Sequence, residues 1–105
     1  MTEKEFYDLL YEEFFIMRSY PDIGPVIDEF DLLWIAAMRL AMKVDRDGVS
    51  EYCDKEKPPL DKYDLQRRQF AVYKRIATRK KNTDNIDLKS IRDQFQTKMR
   101  KERKQ

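Results

Sequence analysis

Four stretches of this chain carry apolar side chains at helical spacing, and only one short stretch, 49–53, alternates as a strand would. The most apolar stretch, 30–44, is apolar almost all the way round, which is typical of a buried helix. It is too short to span a bilayer, and Arg39 and Lys43 interrupt it. The pattern predicts an all-α fold, a small helical domain of about four helices built around this central helix.

Capping residues and helix breakers set the expected boundaries. Thr2 and Asp61 are placed as N-caps, and either Thr83 or Asp84 is placed to cap the last helix. Gly48 follows the central helix at the position where a left-handed residue commonly ends a helix. We therefore expect helices at 2–19, 26–46, 61–81 and 85–100, with a short hairpin or a loop at 49–60. The expected domain covers residues 1–97 and is followed by a basic, flexible tail at 98–105.

The first helix carries more aromatic side chains than one inward stripe requires. The inward stripe is predicted to contain Phe6, Leu9, Leu10, Phe14 and Met17. On a neighbouring face, Tyr7, Tyr11 and Phe15 either complete the core or contact another chain. The central helix likewise has more apolar surface than a domain of this size needs to bury. Either helices one and three enclose this surface, or a second copy of the chain does. The residues expected at an oligomer or partner interface are Tyr7, Tyr11, Phe15, Trp34 and Met38.

Charge divides the chain into two unequal halves. Residues 1–60 hold 7 Lys/Arg against 14 Asp/Glu, whereas residues 61–105 hold 15 against 6. Such asymmetry indicates nucleic-acid contact by the basic half or head-to-tail association between copies, and a homo-oligomer is the expected state. The alternative interpretation is that neutralisation between packed helices of one chain explains part of the same pattern.

Several kinds of chemistry are excluded or unsupported by composition. The chain has no histidine, one cysteine (Cys53) and two glycines. It therefore lacks the residues for a Cys/His zinc site, a His-dependent triad or a glycine-rich phosphate loop. Carboxylate pairs such as Glu12 and Glu13 are typical of a solvated helix surface. We expect no enzyme activity, no cofactor and no metal, and, because the acidic N-terminus lacks a signal-peptide pattern, a soluble cytoplasmic protein without a membrane contact.

The basic residues of the second half are the main functional signal. With few acids between them, they would neutralise several phosphates of double-stranded DNA and give salt-dependent binding. No helix-turn-helix signature supports sequence-specific readout. The candidate nucleic-acid-binding residues are Arg67, Arg68, Lys74, Arg75, Arg79, Lys80, Lys81, Lys98, Arg100, Lys101, Arg103 and Lys104.

The segment 27–49, IDEFDLLWIAAMRLAMKVDRDGV, resembles the central helix of phage terminase small subunits of the P27 type. The matching positions are Asp31, Leu32, Leu33, Ala36, Arg39, Ala41, Asp47, Gly48 and Val49. A proline-bearing connection at 58–59 and a second helix at 63–77 follow in the family's order, whereas 78–83 lacks the family's Gly- and Pro-bearing turn. The resemblance implies a helical, ring-forming, non-catalytic subunit that recognises viral DNA in the bacterial host cytoplasm. Its implied partner is the large terminase subunit, an ATPase and nuclease that it regulates.

A second hypothesis comes from the acidic, aromatic N-terminal helix. A small interaction module or inhibitor from a mobile element would use this helix to dock on a basic partner. Tyr11, Glu12 and Glu13 would then be essential, and the basic tail would be dispensable.

Overall fold

A computed structural model describes residues 1–22, 27–55, 61–80 and 86–103. Within these ranges the protein is all-helical, which confirms the predicted fold class. The four helices are α1 (Glu3–Ser19), α2 (Glu29–Lys55), α3 (Lys62–Thr78) and α4 (Leu88–Arg103). No described helix is long and apolar enough to cross a membrane.

Helix α1 begins and packs largely as its sequence predicts. The Thr2 hydroxyl accepts a hydrogen bond from the Glu5 amide at 3.1 Å, which satisfies one of the free donors of the first turn. The predicted inward stripe is confirmed in the buried side chains Phe6, Leu10, Phe14 and Met17. The fifth member is wrong: Leu9 is 37% exposed. Tyr11, on the neighbouring face, is buried instead.

Helix α2 is the centre of the core. Six of its side chains between residues 32 and 41 are completely buried, and they are Leu32, Leu33, Ala36, Ala37, Leu40 and Ala41. The side chains of Trp34, Ile35, Met38 and Met42 are partly buried against the same core. Helices α1, α3 and α4 all pack on α2, so the chain itself covers most of this apolar surface.

The first part of α2 ends at a kink at Asp45, one residue before the predicted end at 46, but a second helical segment, which was not predicted, then continues to Lys55. Asp45 has φ −152° and ψ 84°, outside the helical region. Its carboxylate accepts a hydrogen bond from the Gly48 amide at 3.0 Å and so caps the segment 46–55. Gly48 is therefore inside a helix with a negative φ, not a left-handed C′ residue. A Cβ at this position would collide with the Asp45 carboxylate.

The hairpin or loop expected at 49–60 is also corrected, since residues 49–55 are helical. This segment packs against α3. The Tyr52 and Tyr73 rings meet edge to face, and the Cys53 sulfur lies 3.6 Å from the Tyr73 hydroxyl. Burial of Val49 and this ring contact explain why the local sequence folds as helix. Residues 56–60 lie outside the described residues.

Helices α3 and α4 are shifted slightly from their predicted bounds. The Asp61 carboxylate accepts from the Tyr63 amide at 3.0 Å, which confirms this cap. Helix α3 ends at Thr78 rather than 81, where Arg79 adopts a left-handed conformation with φ 57°. Asp87 caps α4 by accepting from the Ser90 amide at 3.2 Å. The predicted caps Thr83 and Asp84 lie outside the described residues.

The predicted basic tail is continuous with α4 as far as Arg103. Met99 is buried in the core, so the expected domain boundary at residue 97 falls inside a packed helix. Residues 104–105 lie outside the described residues.

Aromatic side chains join the helices to one another. Phe6 of α1 meets Phe70 of α3 with ring centroids 5.9 Å apart, and Phe14 of α1 meets Phe95 of α4 at 5.5 Å. At the start of α2, the Arg92 guanidinium of α4 lies 4.9 Å from the centre of the Phe30 ring. Helix α1 thus contacts α3 with its first turns and α4 with its later turns.

Candidate nucleic-acid interface

An exposed row of arginines marks the outward face of α3. Arg68, Arg75 and Arg79 are all exposed. Arg68 and Arg75 are spaced i and i+7, so they lie on one line along α3, and Arg79 is the left-handed C-cap residue that follows the helix. At a rise of about 1.5 Å per residue, Arg68 and Arg75 are roughly 10 Å apart along the helix axis. The opposite face of α3 is fixed by the buried Phe70, Tyr73 and Ala77, so the row stands on a rigid support.

Two further exposed cations, one on α3 and one just after it, lie near carboxylates. Arg67 lies beside this row and pairs with Asp64 at 3.5 Å on the helix surface. Lys80 follows the helix and lies 3.9 Å from Glu3. Such exposed pairs contribute little to stability, so both side chains remain able to exchange partners. Lys81 lies outside the described residues.

Lys74 does not belong to the exposed basic surface on which it was predicted. It is buried, with its ammonium 3.5 Å from the Glu3 carboxylate and 4.9 Å from the centre of the Tyr7 ring. Burial alone would lower the pKa of Lys74, but Tyr7 and Glu3 outweigh it and raise the pKa above its ordinary value. The charge of Lys74 therefore forms an ion pair within the chain, which joins α3 to α1.

The basic residues of α4 lie in a different setting. The Lys98 ammonium lies 4.1 Å from the centre of the Tyr11 ring, and Arg100 and Lys101 are exposed. Arg103 is the last helical residue, and Lys104 is outside the described residues. Helix α4 is held by α1 and by the start of α2, where Gln96 donates to Glu29 at 2.8 Å. The basic residues of α4 therefore lie on the side of the protein where α4 packs against α1.

The predicted interface residues mostly serve the core. The Tyr11 hydroxyl is buried and donates to Glu102 at 2.8 Å, and burial followed by this bond raises the pKa of Tyr11 to about 12. Tyr7 is half-buried against Phe6, with ring centroids 5.3 Å apart. Trp34 donates from its indole nitrogen to Gln69 at 2.8 Å, and Met38 is partly buried. Phe15 is the exposed member of the set, at 36%.

Ion pairs between helices neutralise some carboxylates of the acidic half, either with cations of the same half or with a cation of the basic half. Glu13 of α1 receives both Arg39 at 3.3 Å and Lys43 at 3.6 Å from α2. Lys62 of α3 reaches back to Asp31 at 3.2 Å, and Gln66 donates to the same carboxylate. The spacing of residues 13, 39 and 43 does not reveal these pairs, because they depend on how α1 packs across α2.

In the part of the chain that the structure describes, no group of three or more His, Cys, Asp or Glu side chains is placed to hold a metal ion. In the same ranges, every buried side-chain nitrogen or oxygen has a hydrogen-bond partner. The arrangement is that of a charged surface supported by a satisfied core. Comparison with protein-family models, with curated proteins and with solved structures found no match.

Proposed function

We propose that this chain is a non-enzymatic DNA-binding protein that contacts the phosphate backbone of duplex DNA through the arginine row of α3. The observation that carries the proposal is the exposure of Arg68 and Arg75 on the outward side of a well-packed helix and of Arg79 at its C-terminal end. Guanidinium groups match phosphate oxygens in geometry and keep their charge at every physiological pH.

The length of the row fits contact with a phosphate strand. One strand of B-DNA places a phosphate about every 3.4 Å along the axis, so the separation of roughly 10 Å between Arg68 and Arg75 spans about three phosphate steps. Contacts of this kind position a protein on the duplex without reading its sequence. We therefore expect affinity that depends strongly on salt and weakly on DNA sequence.

A more specific form of the proposal follows from the resemblance of residues 27–77 to P27-type terminase small subunits. In this form the protein is an oligomeric subunit that recognises viral DNA and regulates a large terminase subunit in the host cytoplasm. A large-terminase gene beside the gene for this chain would support the assignment, and neighbouring genes unrelated to phage packaging would contradict it.

The general proposal is tested by titrating a fluorescent DNA duplex of about two helical turns at several salt concentrations. For the wild-type chain, the logarithm of the binding constant should fall linearly with the logarithm of salt. A variant carrying Arg68→Ala, Arg75→Ala and Arg79→Gly should lose most of the affinity, and the slope should shrink by roughly 2 to 3, about 0.9 for each lost phosphate contact.

Arg79→Gly alone separates binding from folding. Glycine accepts the φ of 57° at this position without the steric cost that arginine carries, so the variant should fold at least as well as the wild type. Its DNA affinity should nevertheless fall, because one cation is lost from the row. A variant that binds DNA as tightly as the wild type would contradict the role of Arg79.

A matched control removes three positive charges elsewhere. Lys4, Arg46 and Lys55 are exposed on α1 and α2, so their joint replacement by alanine gives the same net charge as the α3 variant. The control should keep most of the wild-type affinity and slope. Equal losses in the two triple variants, or no binding by the wild-type chain at low salt, would overturn the proposal.

A further inference from the structure

The exposed large apolar side chains of the described residues are all on α1 or at its end. They are Leu9 at 37%, Phe15 at 36%, Ile16 at 51% and Tyr20 at 53% exposure. Leu9 and Ile16 are spaced i and i+7, so they form an apolar line about 10 Å long on α1, and Tyr20 is the C-cap residue that follows the helix. Single exposed apolar residues are ordinary, but a group of them on one helix is typical of a binding surface.

A row of carboxylates follows this apolar line. Glu5, Asp8 and Glu12 are exposed and spaced i, i+3 and i+7 along α1. In contrast, the neighbouring Glu13 is compensated by Arg39 and Lys43 of α2. The outward face of α1 therefore combines large apolar side chains with a row of carboxylates that form no ion pair with any described residue.

Helix α4 turns this face into one wall of a groove of about 550 Å³. The groove is lined by Asp8, Tyr11, Glu12, Phe15, Ile16, Lys98 and Glu102. Three of these residues are carboxylates and one is a lysine, so the groove has a net negative charge. The Lys98 ammonium lies 4.1 Å from the centre of the Tyr11 ring, so an aromatic side chain of the groove already binds a cation.

Among the described residues, the outward faces of α1 and α3 of a second copy do not complement this groove. Two copies meeting through α1 would place one carboxylate row against the other. The oppositely charged α3 of another copy offers Arg68, Arg75 and Arg79, but no described residue of α3 is a large exposed apolar side chain that would cover Leu9 and Ile16. The occupant must supply both positive charge and apolar side chains on one face.

We propose that the α1–α4 groove binds a basic amphipathic helix of another protein. Apolar residues of that helix would contact Phe15 and Ile16, which line the groove, and would extend along α1 towards Leu9. Its lysines or arginines would face Asp8 and Glu12. The inference is independent of DNA binding, because that function uses the opposite charge on α3.

The test uses three synthetic helical peptides of about 15 residues, each labelled for fluorescence anisotropy. The first has leucines at i, i+3, i+4 and i+7 with lysines beside them, the second replaces the lysines with glutamates, and the third replaces the leucines with glutamines. The full-length chain should bind the first peptide at least tenfold more tightly than either control. Equal binding of the lysine and glutamate peptides would overturn the proposal.

Variants of the chain locate the contact. Leu9→Gln with Ile16→Gln changes side chains that are already exposed, so the fold should be kept while affinity for the first peptide falls about tenfold. Asp8→Asn with Glu12→Gln should weaken binding by a similar factor and reduce its salt dependence. The matched control, Asp47→Asn with Asp54→Asn, removes two exposed carboxylates from α2 and should bind as the wild type does.

Sedimentation of the chain without peptide tests the remaining alternative, which is that a second copy of the chain occupies the groove. A wild-type chain that stays monomeric, together with the peptide results above, supports a foreign helix. A wild-type dimer that Leu9→Gln and Ile16→Gln convert to monomer would show that a second copy fills the groove, and would overturn the proposal. DNA binding by α3 is tested separately, by the salt titration.

Discussion

Helices α1 and α3 are each 17 residues long, each begins at a side-chain N-cap, and each packs on α2, yet their outward faces are opposites. The outward face of α1 is acidic and exposes large apolar side chains, whereas that of α3 carries arginines. The two helices meet through Phe6 and Phe70, and Lys74 of α3 is buried there against Glu3. Position relative to this crossing decides whether a charged residue stabilises the fold or remains available at the surface.

The largest expected effect comes from removing the aromatic contact at the crossing. Phe6→Ala should lower the free energy of unfolding by about 3–5 kcal/mol, because it empties a fully buried site between α1 and α3. Phe15→Ala, on the outward side of the same helix, should cost about 1 kcal/mol or less. Denaturant unfolding measures both. Similar losses for the two variants would contradict the assignment of inward and outward faces.

A smaller effect distinguishes the buried lysine from its exposed neighbours. Lys74→Ala should cost about 1–2 kcal/mol through lost packing and lost pairing with Glu3, and Lys74→Met should recover much of this. Lys80→Ala, at an exposed pair, should stay within about 0.5 kcal/mol.

The DNA titration gives the complementary result for adjacent residues. Lys74→Met should leave the salt slope unchanged, whereas Arg75→Ala should reduce it by about 0.9. A reduced slope for Lys74→Met would mean that the buried ammonium reaches phosphate, against the geometry described above.

The smallest expected effect is a dependence of stability on alkaline pH. The pKa of Tyr11 is raised from 10.0 to about 12 by burial and by the bond to Glu102, so its neutral form stabilises the fold fully below pH 10. That contribution should be lost as the pH rises from 10 towards 12. The raised pKa of Lys74 acts in the same direction, since its charge is lost at high pH.

Unfolding in denaturant at a series of alkaline pH values measures this loss. Tyr11→Phe should flatten the dependence, although Tyr73, whose pKa is also raised by burial, keeps part of it. A free energy of unfolding that does not change above pH 10 would contradict the buried hydrogen bond.

Much of the fold follows from local sequence. Helical spacing predicts the four helices, the apolar run at 30–44 predicts the buried centre, and Thr2 and Asp61 are N-caps as predicted. The end of α2 could not be predicted in this way. The sequence Asp45-Arg46-Asp47-Gly48 suits a C-terminal glycine and equally suits a new cap, and packing of the segment 46–55 on α3 decides between them.

The candidate site is predictable only in part, for a related reason. Helical spacing places Arg68 and Arg75 on one line, but it does not place Arg79, which follows the end of α3. Spacing does not show that Lys74 is buried, because its burial depends on where α1 crosses α3. The exposure of Leu9 was likewise missed, since the width of the inward face depends on how closely α2 and α4 flank α1.

The kink at Asp45 divides α2 into two parts that differ in how firmly they are held. Before the kink, completely buried side chains follow one another from Leu32 to Ala41, whereas after it the buried side chain is Val49. Because the later segment has its own cap, it can open without unwinding the first part. Backbone amides of 49–55 should therefore exchange their hydrogens with solvent well before those of 32–41, so that one continuous helix contains both a stable core segment and a segment that opens readily.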